Sequence, residues 1–162
     1  MNFLENENLI KAKEKRFHYF FSFADLPLPT WDDVIRCLDY NVEHDIHLKH
    51  LENFGLVLHN TNSIKMISDM LDNYSKLDLS LPSSSHLYIS FCSKSKTFGW
   101  HKDNSDVLIW QIIGSTMFSV DQNGIHTYCL KPNDFLYIPK GIMHNTNPLT
   151  PRVVVSFGLD YS

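Results

Sequence analysis

Phe98-Gly99-Trp100-His101-Lys102-Asp103 heads the half of the chain whose reading decides the fold. A histidine and an aspartate stand there with one residue between them. Side chains alternate between the two faces of a strand, so on a strand His101 and Asp103 would project together. From His86 onward the sequence is a series of short strand-like runs broken by turns: 86–92, 98–103, 106–113, 115–120, 125–130, 134–138, 142–146 and 152–159. Asp121-Gln122-Asn123-Gly124 reads as a hairpin turn, because Asn-Gly accepts positive φ at little cost. Lys131-Pro132-Asn133-Asp134 reads as another. Eight short strands with no helical period between them point to an antiparallel barrel or jelly roll. The expected fold class is mainly β with flanking helices.

Upstream, residues 1 to 16 form a polar lead, helical or frayed, and Phe17 to Phe23 a first strand stopped by Pro27 and Pro29. Thr30 reads as an N-cap. Asp32 and Asp33 sit in the first turn, and Trp31, Val34, Ile35 and Leu38 repeat at helical spacing from 31 to about 40. Phe54 to His59 reads as a strand. Asn62 or Ser63 would cap a second helix with Ile64, Ile67, Leu71 and Tyr74 on its buried stripe. Pro82 and Ser83 to Ser85 would connect it to the strands. His44, His47 and His50 have no cysteine or carboxylate at a known ligand spacing and read as a solvated face. With no repeat and no long linker, 1–162 is expected to be a single domain, with 1–80 supporting a core at 86–160.

Of the 162 residues, 43% are hydrophobic, enough for a core, and 13% are aromatic, which suits strands. The net charge of −4 and the absence of a Lys/Arg block argue against a phosphate-backbone binder. Cys37, Cys92 and Cys129 are odd in number and widely spaced, as in a reduced intracellular chain. No apolar run is long enough for a membrane span, and residues 1 to 16 lack a secretory h-region, so the cytoplasm is the expected location. The sequence does not bear on oligomeric state.

A neutral imidazole and a carboxylate on one face can hold a divalent metal and leave part of its coordination sphere open. His144, in Ile138-Pro139-Lys140-Gly141-Ile142-Met143-His144, is the best second histidine, directly after a Pro-x-Gly turn. Two histidines and one carboxylate make the facial triad of non-haem Fe(II) oxygenases. Arg152 opens Arg152-Val153-Val154-Val155-Ser156-Phe157-Gly158, a strand apolar on both sides of its pleat. An arginine entering a buried strand needs an anion, and a guanidinium suits a carboxylate. Asp160 or another surface carboxylate is one such partner; a bound ligand is the other.

Three segments carry a resemblance. His101 to Gly114 resembles the metal-binding stretch of the JmjC-type ribosomal oxygenases, H-x-D-x-x-D-V, three hydrophobic residues, then Q-x-x-G. Asn133 to His144 is similar to the second cupin motif, G-D-x-x-x-x-P-x-G-x-x-H, with Asn133 in place of glycine. Ser156-Phe157-Gly158-Leu159 resembles the S-V-G-F of the same family's last strand. The resemblance covers about 86 to 160 and implies a double-stranded β-helix. It further implies an Fe(II)- and 2-oxoglutarate-dependent oxygenase that consumes O2, releases succinate and CO2, and hydroxylates a protein side chain or a small molecule. His101, Asp103 and His144 would be the metal ligands. One position departs: where the family places a basic residue for the distal carboxylate of 2-oxoglutarate, this chain has Thr116. Arg152 would substitute, as in prolyl-hydroxylase and AlkB-type enzymes, helped by Ser156 and the Tyr88 hydroxyl. Trp100 and Trp110 read as barrel packing, His86 and His126 as structural, Lys102 as solvated and Asp106 as a turn residue. The alternative is a cupin-type metal-binding protein, an isomerase or ligand-binding module, although cupins supply a third histidine and a glutamate.

Overall fold

β5 (Ser105–Ile113) and β10 (Arg152–Asp160) are apolar at nearly every position because both faces of the sheet they centre are covered. The computed structural model describes residues 2–160. Its larger sheet runs β1 (Tyr19–Ser22), β8 (Asp134–Ile138), β5, β10, β4 (Ser83–Ser90), β3 (Gly55–Leu58), β2 (Leu48–Leu51). The smaller runs β7 (Ile125–Leu130), β6 (Thr116–Asp121), β9 (Met143–Pro148), and every pairing is antiparallel. This is the jelly roll, or double-stranded β-helix, expected for the second half of the chain.

Alternation assigns each residue to one of two cores. Leu108, Trp110 and Ile112 of β5 join Val153, Val155, Phe157 and Leu159 of β10 on the outer face. Three helices supply Leu9, Val34, Cys37, Ile67 and Tyr74 to that same core: α1 (Glu7–Glu14), α2 (Trp31–Glu43) and α3 (Lys65–Ser75). Val107, Ile109 and Val154 point the other way and meet Phe118, Val120, Leu130, Leu136 and Ile138 between the sheets. Trp110, stacked on Phe135 at 5.7 Å, is therefore packing, as expected. The β5–β10 register shifts between Val153 and Val154, and the buried Gln111 amide donates to the Ile113 and Val153 carbonyls beside the irregularity.

The turns follow their residues. Asn123 and Gly124 take φ 58° and 110° in the β6–β7 hairpin, and Asn133 takes φ 72° before β8. Thr30 caps α2 in a reciprocal box with Asp33.

Five expectations need correction. Residues 98–103 do not form a strand; only His101 is bridged, to His144, extending the smaller sheet by one residue. Gly99 at φ 68° turns the chain there and prevents a longer pairing. Ser83 to Ser85 are not a connection but the start of β4, paired with Phe157 to Leu159; Ser85 bonds Thr61 and Ser84 bonds Asp160, which satisfies hydroxyls that look linker-like in sequence. His50 is solvent-exposed as expected, but it lies on β2, a short strand missed because its residues do not alternate. α3 takes Ile64 as its N-cap with no side-chain bond, so neither Asn62 nor Ser63 caps it; burial of Ile64 fixes its start. Of the two readings of the polar lead the helical one holds: α1 is docked, with Phe3 and Leu9 fully buried, and needs no correction.

The fifth concerns Asp106, which is a fully buried carboxylate rather than a turn residue. It accepts from Arg16 Nη1 at 2.6 and 2.8 Å, Tyr137 Oη at 3.0 Å and Lys140 N at 2.8 Å, and Lys13 Nζ lies at 3.9 Å. It thereby ties the N-terminal helix to the segment that carries His144. Asp106→Asn should cost about 3–5 kcal/mol in a denaturant titration, since it removes one partner of a buried charge cluster; an unchanged midpoint would contradict this role.

Stability should also fall with acid. Burial lowers the pKa of His18, His86 and His144 below the ordinary 6.5. His18 Nδ1 faces Gln122 Oε1 at 2.9 Å and its Nε2 faces Tyr128 Oη at 2.8 Å, a pairing that suits the neutral ring. Below 6.5 the unfolded chain binds more protons than the folded one, so stability is lost as pH drops through that value. The melting temperature of metal-free protein should decline from about pH 7 to about pH 5; a flat profile would contradict the assignment.

Candidate metal centre

His101 and His144 are joined backbone to backbone: His101 N donates to His144 O at 3.0 Å and His144 N to His101 O at 2.8 Å. Gly141 N donates to Asp103 O at 3.0 Å, so the Pro139–His144 segment is stitched to the His101–Asp106 segment at three points, Asp106 included. Two stretches far apart in sequence are thus held side by side before any ligand is considered.

The side chains converge. His101 Nδ1 donates to Gly99 O at 2.9 Å and His144 Nδ1 to Ile142 O at 3.0 Å. Each bond places the proton on Nδ1 and leaves the Nε2 lone pair facing the other donors. Asp103 Oδ2 lies 3.5 Å from His144 Nε2 and Asp103 Oδ1 lies 3.9 Å from His101 Nε2. Donors bound to one ion at about 2.1 Å cannot be more than about 4.2 Å apart, and both separations satisfy this. Desolvation lowers the His144 pKa, which favours the neutral, ligating form. Among the described residues, His101, Asp103 and His144 are the cluster of three or more donors that could hold a metal. All three are only partly satisfied within the protein, so the donor set fits an oxygen- and nitrogen-ligated divalent ion with open positions.

β4 and β10 present the rest of the site. Their inward residues are Tyr88 and Ser90 on β4 and Arg152, Val154 and Ser156 on β10. Together with His101, Asp103, His144, Phe98 and Thr146 they line one pocket. Arg152 is 4% exposed. Its Nε donates to Ser90 Oγ at 3.3 Å and its Nη1 to Thr116 Oγ1 at 3.2 Å. No carboxylate among the described residues lies within ion-pair reach of it. Asp160, the surface partner considered above, instead accepts from Ser84 and Ser105 at the other end of β10. Burial pulls the Arg152 pKa down to about 10, so the group stays cationic at neutral pH. Burial pushes the Tyr88 hydroxyl up to about 12, so it remains a proton donor.

A second, larger cleft of about 330 Å³ shares Tyr88, Phe98, His101, Asp103 and Ser156 with that pocket. It crosses from Ser105 on β5 to Lys49 on β2, five strands, or about 19 Å at the usual strand spacing.

The same two-sheet arrangement occurs in solved structures. The chain is covered completely by the X-ray structure of Escherichia coli ycfD, with a TM-score of 0.79 at 16% identity over 54% of that chain. A structure of YcfD, a ribosomal oxygenase from Escherichia coli, in complex with cobalt and 2-oxoglutarate matches 100% of this chain and 45% of that one, with a TM-score of 0.61 at 19% identity. The fold is a JmjC/cupin-like double-stranded β-helix. A Bacillus subtilis oxalate decarboxylase variant has a similar architecture over 88% of the chain and 30% of its own, with a TM-score of 0.51 at 17% identity. The chain spans about half the length of the YcfD structures it matches. Neither a family model nor a curated protein matches the sequence. No helix among the described residues is long and apolar enough to cross a membrane.

The three candidate metal ligands and Arg152, Tyr88 and Ser156 line one pocket of this barrel. Lys102 is exposed, and Trp100 is 45% exposed and outside both cavities. Sequence reasoning missed Ser90, which only the β4–β10 register places opposite Arg152, and it noted Thr116 as a missing basic residue without seeing its bond to Arg152. It also passed over His86 and His59, which line the cleft.

Proposed function

We propose that this chain is an Fe(II)- and 2-oxoglutarate-dependent oxygenase, a hydroxylase built on a single domain in which residues 1–80 brace the barrel of residues 86–160. The observation that supports it best is one pocket holding both a three-donor metal cluster and a buried guanidinium with no carboxylate partner among the described residues. A buried cation left without an anion is costly, and a ligand carboxylate relieves that cost. When bound, Fe(II) and 2-oxoglutarate would supply the oxidation that inserts one atom of O2 into a C–H bond, the cosubstrate leaving as succinate and CO2.

The protein's own groups do the positioning. His101, Asp103 and His144 would hold the metal from one side and leave the side toward the pocket open. Arg152 would take the distal carboxylate of the cosubstrate, with Ser90 and Thr116 fixing the guanidinium plane from behind. Thr116 stands where related motifs carry the basic residue, so the charge reaches the same place from β10 instead of β6. The Tyr88 hydroxyl and Ser156, both lining that pocket, can donate to the same carboxylate. Phe98, Ile109, Phe118 and Val154 exclude water around it. The YcfD complex with cobalt and 2-oxoglutarate supports this cosubstrate class.

The cleft beside the metal ligands would admit the substrate, for which a protein side chain is the first assignment and a small molecule the second. A cupin role without 2-oxoglutarate is less well supported, since the third ligand here is a carboxylate and the site contains an anion-seeking arginine. Incubation with Fe(II), 2-oxoglutarate and O2, with and without candidate peptide and metabolite pools, should release succinate in a metal-dependent way. No succinate above the metal-free control from iron-loaded protein would refute the proposal.

A further inference from the structure

Five of the histidines have a ring nitrogen hydrogen-bonded to the protein: His18, His44, His101, His126 and His144. His47, His59 and His86 have none among the described residues, yet they touch one another. Strand register explains the contact. Leu48 pairs with Leu58, and Leu58 with Leu87. One step further along each antiparallel strand, His47, His59 and His86 therefore fall in one row, and that row continues to Ser156 on β10. The His59 and His86 rings are 4.8 Å apart at 80°, and the His47 and His59 rings 5.8 Å apart. The metal-site pair His101 and His144 is 4.3 Å apart at 58°. Two imidazoles bound to one ion through nitrogens at about 2.1 Å have ring centres about 4.5–5 Å apart, so the His59–His86 spacing has the right scale.

The surroundings suit a cation on balance. Asp160 and Asp103 both act on His86 with the sign of a nearby negative charge. Burial lowers the His86 pKa, and partial desolvation together with the neighbouring His47 and Lys49 lowers that of the more exposed His59, which favours the neutral form that ligates. The opposing charge is Lys49, whose Nζ lies over the Phe98 ring at 4.3 Å.

We propose that His59 and His86 form a second metal site, for a borderline divalent transition-metal ion such as Zn2+, Ni2+ or Cu2+, with His47 able to turn in as a third ligand. Imidazole donors without thiolates favour these ions over Mg2+ or Ca2+. Both residues line the cleft that also reaches His101 and Asp103. The site is independent of the reaction assigned above.

Equilibrium dialysis of untagged, metal-free protein against Zn2+ reads the stoichiometry. Wild type should take two equivalents, His59→Ala one, His101→Ala one, and the combined variant none. His59 is exposed, so His59→Ala should keep the wild-type circular dichroism spectrum; His86→Gln is the second variant and should also lose one equivalent. One equivalent in wild type, or two retained in both His59→Ala and His86→Gln, would overturn the proposal. Failure of the first centre would appear separately, as no loss in His101→Ala.

Discussion

Arg152→Met should bind 2-oxoglutarate about 10- to 100-fold more weakly, the loss of charge-assisted hydrogen bonds worth about 1.5–3 kcal/mol. The same change should leave the ligand-free protein as stable as wild type or more stable, by up to about 3 kcal/mol, because a buried cation without a carboxylate is replaced by an apolar chain of similar length. These two effects have opposite signs, which makes the variant diagnostic. An arginine that merely held β10 to β4 and β6 through Ser90 and Thr116 would lower stability on removal and leave ligand affinity alone. Cosubstrate titration together with a melting curve separates the two cases. A destabilised variant with unchanged affinity would show that the guanidinium is structural.

Asp103→Ala should reduce succinate release by about 10³-fold or more. The carboxylate is the anionic member of the donor set, and several kcal/mol of metal-dependent stabilisation correspond to about three decades in rate. Asp103 is half-buried and its backbone carbonyl, not its side chain, receives Gly141 N, so folding should survive the change. His101→Ala should behave alike. Retention of activity within about tenfold in both variants would remove the metal from the reaction.

The barrel was legible because its signals are local. Asn123-Gly124 and Lys131 to Asp134 mark turns by backbone chemistry that needs no tertiary context, and Arg152 to Leu159 is apolar on both faces because both faces are covered. The convergence of the three candidate metal donors was legible from their spacing, although for a partly wrong reason. His101 and Asp103 converge not by strand alternation but because a bridge to His144 and a turn at Gly99 place them. The remaining features depend on register. Ser90 and Thr116 become ligands of Arg152 only when β4 and β6 lie beside it, and His59 meets His86 only across β3 and β4. Asp106 looked like a turn residue since its partners, Arg16 and Tyr137, come from opposite ends of the chain. The short β2 and the serine-led start of β4 lack alternation or apolar content, and pairing alone makes them strands.

The most direct test of the central claim is an anaerobic titration of Fe(II) into metal-free protein containing 2-oxoglutarate, followed by visible absorption. A charge-transfer band that saturates at one equivalent, and is absent from His101→Ala, is the expected result. Fully folded protein that takes up Fe(II) without developing the band, or a band unchanged in His101→Ala, would contradict the assignment of His101, Asp103 and His144 as the centre of a 2-oxoglutarate oxygenase.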